Sequence, residues 1–591
     1  MSTAILTGAP VPGSSLESDL RSLGFDVCTA AEADETTKLL VAAPADERVA
    51  VVDTRFVGHL HALRLALTDP RFAAAAVPGA LAVQPEARPA LNRALAVGGP
   101  GPDALAAALD REGTAVQRPE LGSLIAAVPS DPQTRHEARA AVAAVDDEAV
   151  RLRTAVKSRD GFFTTYCISP YSRYIARWCA RRGLTPNQVT TASLLTALIA
   201  AGCAATGTRA GYVAAGVLLL CSFVLDCTDG QLARYSLQYS TLGAWLDATF
   251  DRAKEYAYYA GLALGAAHGG DDVWVLALGA MVLQTGRHVV DFSFNEANHD
   301  ATSNTSPTAA LSDKLDSVGW TVWVRRMIVL PIGERWAMIA VLTAVTTPRI
   351  VFYALLIGCA LAACYTTAGR VLRSLTRRAT RTDRAAQALA DLADSGPIAR
   401  IAGRLVRGPR GALPVIAFLG GAAVVTTSLL APVGSWWPAV AAAVYAVCAG
   451  AAVSRPLKGP LDWLVPPVFR AAEYLTILVL AARSDVNEAV PAAFGLVSAV
   501  AYHHYDTVYR IRGGTGAPPR WLVRTVGGHE GRTLVVAVLA ALLTAQSTGN
   551  SGFTVALTVL AVAVALVVVT ESIRFWVSSG APAVHDEGEP A

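Results

Sequence analysis

A chain of 591 residues with 53% hydrophobic and only 16% charged side chains is too apolar for a soluble enzyme and reads as a polytopic membrane protein with room for several domains. A formal net charge of +3 gives no footing for a nucleic-acid partner, and nine cysteines scattered without a CxxC pair argue against a zinc or disulfide framework. The basic residues gather at 173–182 and 370–411, which read as cytoplasmic flanks of membrane helices.

Residues 1–150 differ from the rest. Short apolar runs at Ala4–Thr7, Val49–Asp53, Ala80–Val83 and Leu124–Val128 alternate with Ala-, Glu- and Arg-rich stretches, which predicts a small cytoplasmic α/β domain with a partly parallel sheet. The opening AILTGAPVPGSSLESDLRSLGF has the outline of strand, Gly-containing loop and helix. Neither GxGxxG nor GxxxxGK[ST] is present, so a plain turn is favoured over a phosphate-binding loop. The first residues lack the basic and apolar regions of a signal peptide.

Residues 151–188 form a juxtamembrane segment in which Phe162, Tyr166, Tyr174 and Trp178 interleave with Arg173, Arg177, Arg181 and Arg182, the pattern of an amphipathic helix on a membrane surface. Six membrane helices follow within 189–372, near 189–207, 211–231, 241–267, 272–291, 335–346 and 349–372. Alternation from a cytoplasmic start returns the basic run after the sixth helix to the cytoplasmic side. The polar stretch 293–320 suggests a lid. A basic linker at 373–411 leads to a second membrane domain, 412–591, with five or six spans.

Within the second and third helices stands DCTDGQLARYSLQYSTLGAWLDATFD, residues 226–251. Asp226 and Asp229 share one helix face, and Gly243, Asp247 and Asp251 share another, so a turn between the helices would face four carboxylates across one pocket. An Asp at the centre of a membrane helix costs about 2.5–3.5 kcal/mol, so four would cost on the order of 10 kcal/mol unless compensated. Sulfur-free carboxylate sites suit hard divalent cations such as Mg²⁺, Mn²⁺ or Ca²⁺, and two such ions could grip a pyrophosphate.

This pattern, DxxDGxxAR, eight residues, GxxxDxxxD, resembles the complete signature of the CDP-alcohol phosphotransferase family, whose members displace CMP from a CDP-alcohol with an acceptor hydroxyl, using divalent metal. The resemblance implies that Asp226, Asp229 and Asp247 hold two Mg²⁺ or Mn²⁺ ions and that Asp251 is a ligand or the general base. It implies that Gly230, Ala233 and Gly243 let the nucleotide approach the backbone, and that Arg234 neutralises phosphate or holds an acid. The juxtamembrane stretch with Pro186–Thr190 resembles the inositol-phosphate branch, which makes Asn187 and Thr190 candidate nucleotide contacts or helix caps. Basic residues in later helices receive the acceptor in the family. Lys254, Arg287 and Arg335 are the candidates here, with snorkelling to the interface as the alternative.

By the same resemblance, the implied partners are a CDP-alcohol donor, an inositol-phosphate-like or lipid acceptor and the membrane, the protein is a homodimer, and the active site faces the cytoplasm. The first 150 residues sit where some relatives carry a nucleotidyltransferase domain, but without its loop or lysine signature, and read as a degenerate version. The last third resembles an uncharacterised domain that accompanies such enzymes. In it, Arg470 and Glu473, together with His503, His504, Asp506 and His529, stand at membrane depth. A metal site there is weaker than hydrogen-bonded helix packing, because adjacent histidines point apart on a helix. The rival reading of the whole chain is a transporter or scaffold with a vestigial transferase motif.

Overall fold

The computed structural model describes residues 2–97, 99, 101–157, 160–300, 302–305, 329–376, 378–544 and 551–578. The N-terminal domain has strands β1 (Ser2–Thr7), β2 (Asp26–Ala30), β3 (Arg48–Asp53), β4 (Val57–Gly58), β5 (Ala74–Val77), β6 (Ala80–Val83), β7 (Val116–Gln117) and β8 (Ala126–Ala127). Six of them make one sheet in the order β2-β1-β3-β6-β5-β7. It is parallel through β2, β1 and β3 and turns antiparallel at β6, so the partly parallel expectation holds. Alternation puts Ile5, Val49 and Val51 into one apolar core and Ala4, Ala50 and Val52 into another on the opposite face. Helices α1 (Leu16–Ser22), α2 (Ala33–Ala42), α3 (Leu60–Leu67), α4 (Arg88–Val97), α5 (Pro102–Arg111), α6 (Pro132–Ala143) and α7 (Asp147–Thr154) complete the domain. The loop after β1 is an ordinary turn: Gly8 takes φ +107°, and the Thr54 hydroxyl donates to the Ala9 carbonyl at 2.9 Å.

Next comes α8 (Ser169–Arg181), with Tyr166, Tyr174 and Trp178 exposed along the juxtamembrane segment. The first bundle is α9 (Pro186–Ala205), α10 (Arg209–Ser236), α11 (Thr241–His268), α12 (Trp274–Asn298), α13 (Ile332–Val345) and α14 (Pro348–Thr376). The first three starts carry their own signal: Thr185 and Gln188 form a reciprocal capping box at α9, and Thr208 and Ser240 cap α10 and α11. Both α10 and α11 pack along α9. A methyl at Gly261 or Gly265 would run into the carbonyls of Ala201 or Ala204, so absent side chains set the closeness of α11 to α9.

The fourth helix runs past its expected end at 291 to Asn298, and β9 (Thr302–Thr305) then pairs antiparallel with β10 (Arg378–Thr380). Much of the stretch read as a lid, 306–320, lies outside the described residues.

Two helices, α15 (Asp383–Leu392) and α16 (Pro397–Leu405), stand inside the basic linker and pack into the second bundle. That bundle consists of α17 (Leu413–Leu430), α18 (Trp437–Ala452), α19 (Val465–Arg483), α20 (Ala489–Arg512), α21 (Arg520–Val526), α22 (Gly528–Leu543) and α23 (Gly552–Ser578). Among the described residues seven helices are long and apolar enough to cross a membrane, which makes this a multi-pass membrane protein. One continuous apolar core runs through both bundles, from Tyr212 and Phe223 to Val500 and Val568.

Candidate active site

Leu237, at φ +52°, ends α10, and the Ser240 hydroxyl accepts the Gly243 N–H at 2.9 Å to start α11. This short reversal sets the last turns of α10 opposite the first turns of α11. One carboxylate oxygen from each of Asp226, Asp229 and Asp247 thereby lies within 4.8 Å of the other two, a grouping from residues 18 and 21 positions apart in sequence. Asp229 is buried, and its Oδ2 has no hydrogen-bond partner. The donors are all carboxylate oxygens, the set that suits a hard divalent cation, and an unpartnered buried carboxylate oxygen is what such an ion would satisfy. The residues therefore fit the metal that the signature implies.

Asp251 stands beside this trio. Lys254, fully buried, donates to Asp226 Oδ1 at 2.5 Å and to Asp251 Oδ1 at 3.3 Å. The ammonium thus ties the first acid of α10 to the last acid of α11. It does not snorkel to the interface.

Among the nucleotide candidates, Asn187 lies against Gly243: a methyl there would sit 2.7 Å from Asn187 Oδ1. The Thr190 side chain is buried; it donates to the Pro186 carbonyl at 3.0 Å and also interacts with Asp229. A methyl at Gly230 would meet the Arg234 guanidinium nitrogens at 3.5 and 3.6 Å, an ordinary contact with the tip of a flexible side chain. Ala233 is buried. Arg234 Nε donates to the Ala155 carbonyl at 2.6 Å, linking the motif to the chain that leaves the N-terminal domain.

That domain also grips the α10–α11 connection. Arg151 lies 3.5 Å from the centre of the Tyr235 ring and donates to the Tyr235 carbonyl, and Arg71 covers Tyr239 at 4.1 Å.

The three acceptor candidates do not converge on one side of the acids. Lys254 lies among them. Arg335 is buried and paired with Glu255, its Nε 3.2 Å from Oε1, and Arg287 donates to the Val329 carbonyl at 2.6 Å and to Gln284 at 3.2 Å. In the second bundle the histidines and Asp506 part company. His503 bonds Asp394 at 3.2 Å, His529 bonds the Tyr445 hydroxyl at 2.7 Å, and Asp506 receives Arg510 and Trp576. Among the described residues they form no metal-ligating group.

Sequence reasoning missed a second ionic layer beneath the acids. Arg252 bonds Glu255 at 2.9 Å and His288 at 3.3 Å, and Glu255 also accepts from the Tyr259 hydroxyl at 2.7 Å. The signal was available: Arg252 and Glu255 are three apart in an otherwise apolar helix, where an unpaired charge is costly.

Comparison with known proteins agrees with this geometry. The family model for CDP-alcohol phosphatidyltransferase matches residues 183–362, and a family of unknown function, DUF5941, matches 383–591. A phosphatidylinositol phosphate synthase of Streptomyces avermitilis is 34% identical over 128 residues, 22% of this chain and 50% of that protein. An archaetidylinositol phosphate synthase of Pyrococcus horikoshii is 31% identical over 113 residues, 19% and 58% of the two chains. A bifunctional IPC transferase and DIPP synthase of Thermococcus kodakarensis is 31% identical over 143 residues, 24% and 31%. The chain thus spans between about a third and three fifths of the length of these relatives. With the signature intact and its carboxylates gathered between two helices, residues 183–362 are a CDP-alcohol phosphatidyltransferase domain.

Proposed function

We propose that this protein transfers a substituted phosphate from a CDP-alcohol to an acceptor hydroxyl, releasing CMP, in a divalent-metal-dependent reaction at the cytoplasmic face of the membrane. The observation that carries the reading is the convergence of Asp226, Asp229 and Asp247 within 4.8 Å across two helices. Asp226, Asp229 and Asp247 would hold the ions, with Asp251 beside them. Bound there, the ions supply charge neutralisation on the pyrophosphate.

The chain's own groups account for the rest. Gly230, beside the Arg234 guanidinium, and the Asn187–Gly243 contact bound the space for the nucleotide. Asp251, held by Lys254, accepts the proton of the acceptor hydroxyl. The hydroxyl oxygen forms the new bond to the β-phosphorus. The bond from that phosphorus to the bridging oxygen breaks, and its electron pair leaves on CMP.

The inositol-phosphate names of the relatives support an inositol-phosphate-like acceptor and a CDP-diacylglycerol-like donor. The basic ends of α8 and α14, at Arg181 and Arg373, support a cytoplasmic opening. The test is CMP release by the purified full chain from CDP-diacylglycerol with myo-inositol 1-phosphate and Mg²⁺ or Mn²⁺. CMP release that depends on both metal and acceptor is expected. No CMP from any of a panel of CDP-alcohols would overturn the reading in favour of a vestigial motif.

A further inference from the structure

Residues 383–591 lie beyond the matched transferase segment, yet α20 runs alongside it from end to end. Four contacts mark the seam with α12. The Trp274 and Phe494 rings meet edge to face at 5.6 Å, and Ser498 donates to Met281 Sδ at 3.3 Å. The His288 and Tyr505 rings lie 5.6 Å apart, and Arg512 covers Phe292 at 5.3 Å. The two helices advance together in this list, so they are parallel and in a fixed register. A second seam joins α11 to α23, where Trp245 stacks on Trp576 at 6.3 Å.

At Tyr505 the seam reaches the acid site. The Arg252 guanidinium, next in sequence to Asp251, sits 5.2 Å over the Tyr505 ring while its Nη1 is shared between Glu255 and His288. Three partners from three helices thus set one position for a buried cation. An aromatic face, a carboxylate and an imidazole nitrogen leave a planar guanidinium little freedom. One turn further along the same face of α20, Tyr509 lies within electrostatic reach of Arg252, Asp251 and Asp247.

We infer that the 383–591 region is a fixed wall of the transferase site, in which Tyr505 positions Arg252 and so preserves Asp251 and its neighbours for a divalent cation. This rests on the reading of the acid cluster as a cation site. Without the aromatic face, Arg252 gains rotamers that swing its charge toward Asp251, where it competes with a metal ion for the carboxylate. Tyr505 is accordingly a positioning residue that acts through Arg252.

The test uses the full-length protein in detergent with Mn²⁺ alone as probe, read by electron paramagnetic resonance of the free ion. Tyr505→Leu is expected to weaken Mn²⁺ binding about tenfold, the usual scale for a group that orients a metal ligand from behind. Tyr505→Phe, which keeps the ring, and Ser498→Ala, higher on the same seam, should both stay within about twofold of wild type. Fluorotyrosine at position 509 of the otherwise unaltered protein gives a second readout that does not depend on a variant folding. Its ¹⁹F resonance should broaden on Mn²⁺ addition, and the broadening should vanish in Asp247→Asn. If Tyr505→Leu is folded with wild-type Mn²⁺ affinity, or the fluorine at 509 stays sharp while Mn²⁺ binds, the wall is refuted and the transferase reading stands. If the wild-type protein binds no Mn²⁺, the reading of the cluster itself fails.

Discussion

The two bundles each gather a cluster of charges, fully buried in the second and open at Asp247 in the first, and they differ in how completely those charges are answered. In the second bundle Asp394, between α15 and α16, accepts from Arg532 at 2.8 Å, Arg470 at 3.0 Å and His503 at 3.2 Å. Glu473 takes the same two arginines, at 2.5 and 3.1 Å, and Glu530 accepts the N–H groups of Gly396 and Ala399. Burial alone would raise the Asp394 carboxyl, but Arg470, Arg532 and His503 hold it well below the usual range. In the first bundle a single lysine faces Asp226 and Asp251, while Asp247 joins Asp226 and Asp229 and an oxygen of Asp229 has no partner. Acids answered by arginines build a fold; acids left over await something that is not part of the chain.

The sharpest way to break this contrast is to neutralise one acid in each cluster's chemistry. Asp247→Asn keeps shape and removes charge, so thermal stability should hold or rise while CMP release falls at least about 10³-fold, or about 4 kcal/mol of transition-state stabilisation. Stripping the protein with EDTA and restoring Mn²⁺ should reproduce that loss and then reverse it. A variant with near wild-type turnover would show that these carboxylates are architecture too.

The reverse experiment belongs to the second bundle. Arg532→Met strands Asp394 and Glu473 without one of their guanidinium partners and should cost about 3–5 kcal/mol of stability, seen as a lowered unfolding temperature. Turnover per folded molecule should change little. Replacing Asp394, Glu473, Arg470 and Arg532 together by apolar residues of similar volume should recover much of that stability, because a complete ionic set is often no better than a packed core.

Lys254 tests the boundary between the two behaviours, since it compensates part of the acid site. Lys254→Met removes a cation that competes for the same oxygens, so Mn²⁺ should bind several-fold more tightly in a direct titration. The same change frees Asp251 from the group that orients it, so kcat should fall about 10–100-fold. Parallel loss of affinity and rate would show that Lys254 merely holds the helices together.

Much of this was legible in the sequence because membrane helices advertise themselves by length and charges inside them are expensive. The apolar runs expected in the two membrane regions fall on α9 to α14, α17 to α20, α22 and α23, of which seven are long and apolar enough to cross a membrane among the described residues, and the motif spacing places Asp226, Asp229 and Asp247 together, as the structure does. What stayed hidden was pairing across long separations. Nothing local tells that Arg252 will lie under Tyr505, or that Asp394, in a stretch that reads as linker, will meet Arg532. Strands β2 and β5 escaped for a different reason: DVCTA is short and mixed, and AAAV carries alanine where a strand signal wants branched side chains. Arg287 and Arg335 are candidates in the sequence because they end and begin helices on the expected side, with snorkelling as the alternative; their partners in the fold, the Val329 carbonyl and Glu255, come from far along the chain and could not be read locally.

The smallest effect extends the contrast to the N-terminal domain, which holds a third kind of buried polar group. His61, on α3, is 2% exposed and neither ring nitrogen has a hydrogen-bond partner; burial and the nearby Arg151 push its pKa down to about 3. The native imidazole is therefore neutral where the unfolded one, near 6.5, begins to take a proton. Since the unfolded state binds more protons between about 3 and 6.5, stability is full above that window and falls as the pH drops through it, by at most about 1.4 kcal/mol per pH unit. Arg151 also holds Tyr235 at the mouth of the acid site, so acid loosening here should reach the α10–α11 turn. Comparing proteolytic release of the first 157 residues at about pH 7 and pH 5 in wild type and His61→Phe measures it. The wild type should become more susceptible at the lower pH and the Phe variant should not, and equal sensitivity in both would move the acid response to some other group.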